Sequence, residues 1–148
     1  MCVVVLVVVC GNRDSGKMPP IRSFGQIAAR MAALEQSQVA LELERERMIE
    51  DCDARLAGLL LPMRLRRRSG GRLAWRNTAR HGRDARDRDL EHYAAVLEAL
   101  PQPVVDELRR IERERLLLNV NMSLVQHELR ALRGVRQKIA RLETSGQG

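Results

Sequence analysis

One C-terminal stretch, Val104 to Glu143, constrains the fold more than any other feature of the sequence. Its apolar residues recur at the alternating spacing of three and four that is typical of a packed helical seam, which Arg115 and Arg136 interrupt. At 1.5 Å per residue such a helix is about 60 Å long and needs a partner of similar length. The seam positions are Leu108, Ile111, Leu118, Met122, Val125, Leu129, Leu132 and Ile139.

A second long helix is predicted to begin at a capping box, Ser23-Phe24-Gly25-Gln26, and to end at Pro62. The serine caps the amide of the third helical residue, and the glutamine side chain reaches back toward the cap. Gln38 and Arg45 fall within the apolar series of this helix. The series contains Ile27, Met31, Leu34, Leu41, Met48, Cys52, Leu56 and Leu59.

The composition agrees with a helical fold. The 148 residues include one Phe, one Tyr and one Trp, so the core is built from aliphatic residues and Met, as in helical bundles. The sequence predicts a mainly α fold of two long antiparallel helices and a short third helix, with a small basic β-hairpin in the connector. We expect a leader at 1–22, a single helical domain at 23–143 and a frayed tail at 144–148.

The connector, residues 62–88, carries the positive excess of the whole chain. The net charge is +7, and the connector holds ten Arg and two Asp, a net of +8. The remaining 16 basic and 17 acidic residues leave a net of −1. Arginine is well suited to bidentate phosphate contacts, so this segment is the first candidate for a nucleic-acid interface.

Two short alternating segments of the connector flank Ser69-Gly70-Gly71, which is a hairpin signal. Alternation places Met63, Leu65, Leu73 and Trp75 on one face. Trp75 offers a ring for stacking on a base, but a single Trp among Leu and Met is more often a core residue. The candidate nucleic-acid-binding residues share the opposite face: Arg64, Arg66, Arg68, Arg72 and Arg76.

The remaining helical signals are shorter. Residues 77–88 are predicted as loop, and a short helix is predicted from Asp87 or Asp89 to Leu100. Leu116, Leu117, Val120 and Leu124 widen the apolar surface of the last helix beyond its seam. We expect the short helix or the hairpin to cover them, with a homodimer partner as the alternative. Asn119 and Asn121 flank the seam, and one interpretation is that they cap backbone groups of the hairpin.

The N-terminal residues contain an incomplete phosphate-binding motif. A hydrophobic run at 2–10 is followed by Gly11 to Lys17, which matches GxxxxGK. Met18 stands where Ser or Thr binds magnesium, and Pro19 and Pro20 follow where the helix continues in that motif. A P-loop nucleotide binder is therefore a remote alternative, and a leader from an upstream start, with Met18 as the natural start, is the simpler interpretation.

Cysteine and histidine spacing points to no cofactor. Cys2, Cys10 and Cys52 form no CxxC pair, and the three histidines are far apart in sequence. The run at 2–10 is shorter than the roughly 20 residues that span a bilayer. We therefore expect no metal, no cofactor, no membrane contact and a cytoplasmic location.

Three segments carry a resemblance to a known family. Residues 59–65 (LLLPMRL), 73–77 (LAWRN) and 115–124 (RLLLNVNMSL) resemble a bacterial domain family of unknown function carried on integrating conjugative elements, sometimes labelled "integrase regulator". The resemblance covers about residues 56–143, and its most specific pieces are LxWRN and LNxxMSL. It implies a mobile-element protein, and it supplies no catalytic residues.

Two functions remain open from the sequence. The first is non-specific nucleic-acid binding through the basic hairpin, unless its arginines pair instead with Glu and Asp of the helices. The second is a helical protein-interaction or scaffold module that uses the seam to bind a partner or a second copy. We expect no enzyme, because no nucleophile–base pair, carboxylate pair or metal cluster emerges from the spacing.

Overall fold

A computed structural model of the chain describes residues 20–78 and 87–146. The described residues are mainly helical and include one small antiparallel sheet with the strand order β1-β2-β3, which confirms the predicted mainly α class. The elements are α1 (Phe24–Leu56), β1 (Met63–Arg67), β2 (Leu73–Asn77), β3 (Asp87–Arg88), a 3₁₀ turn (Leu90–Tyr93), α2 (Ala94–Glu98) and α3 (Gln102–Ser145).

Helix α1 begins at the predicted cap. The Gln26 amide donates to Ser23 Oγ at 3.2 Å, and Gln26 Oε1 accepts from the Arg22 amide at 2.6 Å, which satisfies two amides at the helix start. The prediction that this helix continues to Pro62 is wrong. It ends at Leu56, where the carbonyl accepts from Leu59 N in a turn that contains Gly58. Glycine is a poor helix former, and it stops the helix before the proline does.

The sheet is built on the predicted alternation and extends beyond it. Strands β1 and β2 pair antiparallel, with Leu65 opposite Trp75. Gly70 and Gly71 occupy the turn at φ 84° and 86°, a region that residues with a Cβ rarely adopt. The prediction of loop at 77–88 is wrong at both ends, because Asn77 belongs to β2 and residues 87–88 form β3, which pairs with β2. Residues 79–86 of this prediction lie outside the described residues.

The short helix is interrupted where the sequence predicted one continuous element. Asp87 belongs to β3, and Asp89 precedes a 3₁₀ turn rather than an α-helix. Only Ala94–Glu98 is α-helical. The following Pro101-Gln102-Pro103 forms the break that the sequence predicted, and α3 begins at Gln102.

The described residues fall into two compact units. The larger contains residues 38–78 and 87–126, and its core joins side chains of α1, the sheet and α3. Trp75, Met63, Leu65 and Leu73 are fully buried there. Their neighbours in this core are Met48, Cys52, Leu56, Leu90, Tyr93, Leu108, Ile111, Leu118 and Met122.

The smaller unit contains residues 20–37 and 127–146. Arg30 Nε lies 2.7 Å from Glu128 Oε1, and Arg133 Nη2 lies 3.4 Å from Glu35 Oε1. Its buried apolar side chains are seam positions of the two helices: Ile27, Met31, Leu34, Leu129 and Leu132. Every one of them belongs to an apolar series that the sequence identified.

The wider apolar surface of α3 is not covered within the described chain. Leu116, Leu117, Val120 and Leu124 are between 48% and 61% exposed. The prediction that α2 or the sheet packs on them is wrong, because the sheet packs against Leu118 and Met122 on the other side of the helix. Among residues 20–78 and 87–146, no helix has the length and apolarity needed to cross a membrane.

Candidate nucleic-acid interface

The outward face of the sheet carries three of the five predicted arginines. Arg64 and Arg76 lie opposite each other in β1 and β2, and Arg66 follows two residues along β1. Side chains two residues apart on a strand share a face, so these three lie on the face opposite the buried Trp75. They are half-buried rather than extended into solvent.

Asp53 of α1 holds two of these arginines. Its carboxylate lies 2.9 Å from Arg66 Nη1 and 3.6 Å from Arg64 Nη1. Arg66 also donates through Nη1 to the Leu65 carbonyl at 2.8 Å. The Nε and Nη2 groups of Arg66 make no hydrogen bond to the described residues. A guanidinium has five N–H donors, so the contact with Asp53 positions Arg66 and leaves donors for a phosphate.

Asp87 of β3 holds the other side of the face. It lies opposite Arg76 across the β2–β3 pair, and its Oδ1 accepts from Arg76 Nε at 3.1 Å and Nη2 at 3.0 Å. Arg68 Nε approaches the same carboxylate at 3.9 Å. The sequence left open whether these arginines pair with acids of the helices. Asp53 of α1 does pair with Arg64 and Arg66, whereas the carboxylate beside Arg68 and Arg76 belongs to Asp87 of the sheet.

The turn between β1 and β2 places more positive charge beside this face. Arg68 and Arg72 bracket the turn through a 2.8 Å hydrogen bond from Arg68 N to Arg72 O. Arg72 is exposed and makes no ion pair with the described residues. Arg67, the last residue of β1, is also exposed, although it lies opposite the buried Leu73 and alternation assigns it to the apolar side.

We define the arginine face as the three arginines on the outward side of the strands, the three arginines next to the turn, and the two carboxylates among them: Arg64, Arg66, Arg76, Arg67, Arg68, Arg72, Asp53 and Asp87. Six positive and two negative charges leave an excess of four. Sequence reasoning missed Arg67, Asp53 and Asp87. The abundance of acidic residues in the first helix was the available signal for Asp53, but no local pattern identifies which acid meets the strand.

The inward face of the sheet is anchored by a polar cluster around the buried Arg115. Trp75 Nε1 donates to Glu112 Oε2 at 2.8 Å, and Arg115 Nε donates to the same oxygen at 2.7 Å. Arg115 Nη2 also reaches Asp89 Oδ1 at 2.6 Å. The prediction that Trp75 is a core residue is confirmed. Its ring is fully buried, so it does not offer a stacking surface.

Burial and pairing act in opposite directions on the charges of this cluster. Burial raises the pKa of Glu112, but hydrogen bonds from Arg115 and Trp75 outweigh it and leave the pKa below its ordinary value. Burial lowers the pKa of Arg115, and pairing with Glu112 and Asp89 outweighs it. Both groups are therefore charged while they hold the sheet against α3.

A second contact with α3 fixes the start of β2. Asn119 accepts from the Leu73 amide at 2.8 Å and donates to the Leu73 carbonyl at 2.9 Å. Arg115 Nη1 donates to that carbonyl at 2.8 Å. The interpretation that Asn119 and Asn121 cap the backbone of the strand pair is confirmed for Asn119 alone, because Asn121 is exposed and makes no hydrogen bond to the described residues through its side chain. Arg115 also explains the charged interruption of the seam, because its guanidinium replaces apolar packing with contacts to the sheet.

Arg45 of α1 also binds the backbone of the sheet, at the turn between β1 and β2. It is buried, and its Nη1 donates to the Gly71 carbonyl at 3.0 Å. The backbone angle at Gly71, φ 86°, favours glycine there, and a Cβ would lie 2.9 Å from Arg45 Nη1 and displace this guanidinium. Contacts from both helices thus hold the turn and the arginine face in one geometry.

Basic residues also gather at the end of α3, in the smaller unit. Residues 127–146 contain five basic residues, Arg130, Arg133, Arg136, Lys138 and Arg141, against two acidic residues, Glu128 and Glu143. The part of the chain outside residues 62–88 is therefore nearly neutral only in total, because the acidic first helix offsets this basic segment of α3. This basic segment of α3 is a second place where a polyanion can bind.

Other candidate chemistry is limited in what the structure describes. Among residues 20–78 and 87–146, no group of three or more His, Cys, Asp or Glu side chains is arranged to hold a metal ion. The GxxxxGK match at Gly11 to Lys17 lies outside the described residues. Cys52 is buried, and burial raises the pKa of its thiol to about 11.

The chain was compared with known protein families, sequences and structures, and no relative was found. No protein family, curated protein sequence or solved structure matches the chain.

Proposed function

We propose that this protein is a mobile-element accessory protein that binds nucleic acid non-specifically through the arginine face. The observation that carries the proposal is the alignment of Arg64, Arg66 and Arg76 on one sheet face, beside the exposed Arg68 and Arg72. The assignment to an integrating conjugative element is supported only by the resemblance of residues 56–143 to the family named above.

The arrangement favours phosphate contact over base recognition. Arginine donors are held at fixed positions by Asp53 and Asp87, and contacts of guanidinium with phosphate carry no sequence information. The excess of four positive charges attracts a polyanion, and each phosphate that is neutralised releases counterions. Binding is therefore expected to weaken steeply with salt and to vary little with sequence.

The proposal includes an architecture of two long antiparallel helices that present a basic hairpin. Support comes from contacts of the larger unit. Arg55 near the end of α1 pairs with Glu107 near the start of α3. Ten residues earlier in α1, Arg45 meets Gly71, whose surroundings also include Met122 of α3. Earlier residues of α1 are thus close to later residues of α3, which is the order of contacts in an antiparallel pair.

The direct test is binding of a labelled DNA duplex, followed by fluorescence anisotropy across a range of salt concentrations. The test variant is the double substitution Arg68→Glu, Arg72→Glu, because neither side chain lies in the core. We expect its affinity to fall to a similar extent for every duplex sequence. We also expect the slope of log affinity against log salt to flatten by roughly one for each lost phosphate contact.

A charge-matched control separates the arginine face from general attraction. Arg136→Glu, Arg141→Glu removes the same charge from the basic segment of α3, and both side chains are exposed. We expect this control to change affinity less than the test variant does. An equal or larger loss in the control places the interface on α3, and a parent protein with no salt-dependent binding removes the proposal altogether.

A helical protein-interaction module is the second candidate function. The observation in its favour is the apolar surface of α3 at Leu116, Leu117, Val120 and Leu124, which the described chain leaves exposed. Exposed apolar side chains that form a contiguous group mark interaction surfaces more often than isolated ones do. This surface and the arginine face involve different residues, so one protein can use both.

A further inference from the structure

We propose that the protein self-associates head to tail, with the outer stripe of α3 in one copy packed antiparallel against the outer stripe of α1 in the next. The proposal goes beyond nucleic-acid binding and names the occupant of the exposed apolar surface that supports the second candidate function. Both stripes lie within the larger unit.

The outer stripe of α3 has a basic end and an apolar end. Apart from the adjacent pair Leu116 and Leu117, its residues follow one another at spacings of three and four, which places them on one helix face. Arg109 and Arg113 are exposed and make no ion pair with the described residues. The stripe consists of Arg109, Arg113, Leu116, Leu117, Val120 and Leu124.

The outer stripe of α1 has the complementary order. Val39 and Leu43 are 57% and 59% exposed, and Glu46 and Glu50 continue the same face at spacings of three and four. Glu50 is exposed and makes no ion pair with the described residues, whereas Glu46 is exposed but its Oε1 accepts from Arg45 Nε at 2.9 Å. The α1 stripe is thus apolar first and acidic second, whereas the α3 stripe is basic first and apolar second.

Antiparallel contact is the one orientation that matches both halves. It places Leu43 against Leu117 and Val39 against Val120, while Glu46 meets Arg113 and Glu50 meets Arg109. Parallel contact places apolar side chains against unpaired charges, which is unfavourable. Contact of either stripe with its own copy places like charges at the same interface or leaves them without partners, so charge favours the contact between unlike stripes.

The two stripes of one molecule cannot satisfy each other. Each lies on the helix face opposite its buried residues, which include Met48 and Cys52 in α1 and Leu118 and Met122 in α3. The contact therefore joins different patches on two copies, and such a heterologous contact repeats from copy to copy. Its extent belongs to the small, weak class of interfaces, below roughly 1,200 Å².

The test uses sedimentation velocity of the full chain, freed of nucleic acid, with the parent and two variants. We expect the average mass of the parent to rise with concentration and to fall again with added salt. Leu43→Asp blocks the α1 stripe, and Leu117→Asp blocks the α3 stripe. Each variant alone is expected to stay monomeric, with at least about a tenfold weaker association than the parent, because an unpaired carboxylate replaces an apolar contact.

Mixing the two variants gives the decisive result. One copy then offers an intact α3 stripe and the other an intact α1 stripe, so we expect a complex of two copies and no further growth. A parent that is monomeric at every concentration overturns the proposal. Association of Leu43→Asp alone at the level of the parent also overturns it, because the α3 stripe then pairs with its own copy.

A charge-reversal pair tests the orientation without touching the apolar residues. Glu50→Arg and Arg109→Glu are each expected to weaken association, and the chain that carries both is expected to regain most of it. Circular dichroism and thermal melting of every variant check that the fold is intact. Failure of the double variant to regain association contradicts the antiparallel pairing.

Discussion

The indole Nε1 of Trp75 donates a 2.8 Å hydrogen bond to Oε2 of Glu112, which joins the central strand to α3 through a buried ring and a half-buried carboxylate. We expect Trp75→Ala to lower the free energy of unfolding by about 3–5 kcal/mol through the cavity it leaves. Trp75→Phe keeps most of the ring but removes the donor, so a smaller loss of about 1–3 kcal/mol is expected. Urea denaturation measures both, and a Trp75→Ala protein as stable as the parent contradicts the packing.

The depressed pKa of Glu112 predicts a stability that depends on pH. The unfolded chain holds this carboxyl at its ordinary pKa, so it binds more protons than the folded chain in the interval between the two values. The stability contributed by ionised Glu112 is therefore complete above the ordinary value of 4.5 and is lost as pH falls through the folded pKa.

Thermal melting at about pH 7 and about pH 3 tests this linkage. Glu112→Gln is expected to melt lower than the parent at neutral pH and to lose less on acidification. The exposed Glu98→Gln, which makes no hydrogen bond to the described residues, is the matched control and should behave like the parent. Equal pH dependence in all three proteins argues against a role for Glu112.

Neighbouring leucines on α3 provide a test of which face is buried. Leu118 is 5% exposed and Leu117 is 58% exposed. Leu118→Asp places an unpaired carboxylate in the core and is expected to cost several kcal/mol or to unfold the larger unit. Leu117→Asp should leave the melting temperature of the dilute protein nearly unchanged. If the two variants melt at similar temperatures, the assignment of Leu118 to the buried face and Leu117 to the exposed face is wrong.

Duplex and single-stranded nucleic acid should differ as ligands. Sequence-tolerant binding of single strands relies on aromatic side chains that stack on bases, and Trp75 and Tyr93 are buried. Phe24 is partly exposed but belongs to the smaller unit. We therefore expect a duplex to bind at least as tightly per site as either of its strands alone. Clearly tighter binding of the single strands contradicts a purely phosphate-directed interface.

Most helices and strands could be predicted from the local sequence, because burying one face of an element leaves a regular spacing of apolar residues in that element's own sequence. The seams of α1 and α3 were identifiable from spacing, and the alternation at Met63, Leu65, Leu73 and Trp75 identified the buried face of the sheet. The end of α1 was misplaced because the proline at 62 is a strong signal, although the helix had already stopped before Gly58. Strand β3 was not predicted, because a strand of two residues is too short to show alternation of apolar and polar residues.

The partners of the charged residues could not be predicted in the same way. Arg45 and Arg115 stood out as charges within apolar seams, but their acceptors include the carbonyls of Gly71 and Leu73, which are distant in sequence. The same holds for Asp53, which meets Arg66 only after the chain reverses direction. Long-range pairing depends on tertiary structure, so the sequence located the arginine face without the carboxylates that position it.

The paired hydrogen bonds between Asn119 and the Leu73 backbone replace a missing strand. Leu73 is fully buried in the central strand, but β3 is too short to extend beside it, so without a contact from α3 its amide would be buried and unsatisfied. The Asn119 side chain offers one donor and one acceptor, as a peptide group does, and completes the missing ladder position. Asn119→Ala should therefore destabilise the start of β2 and speed hydrogen exchange at the Leu73 amide, even where the helices remain folded.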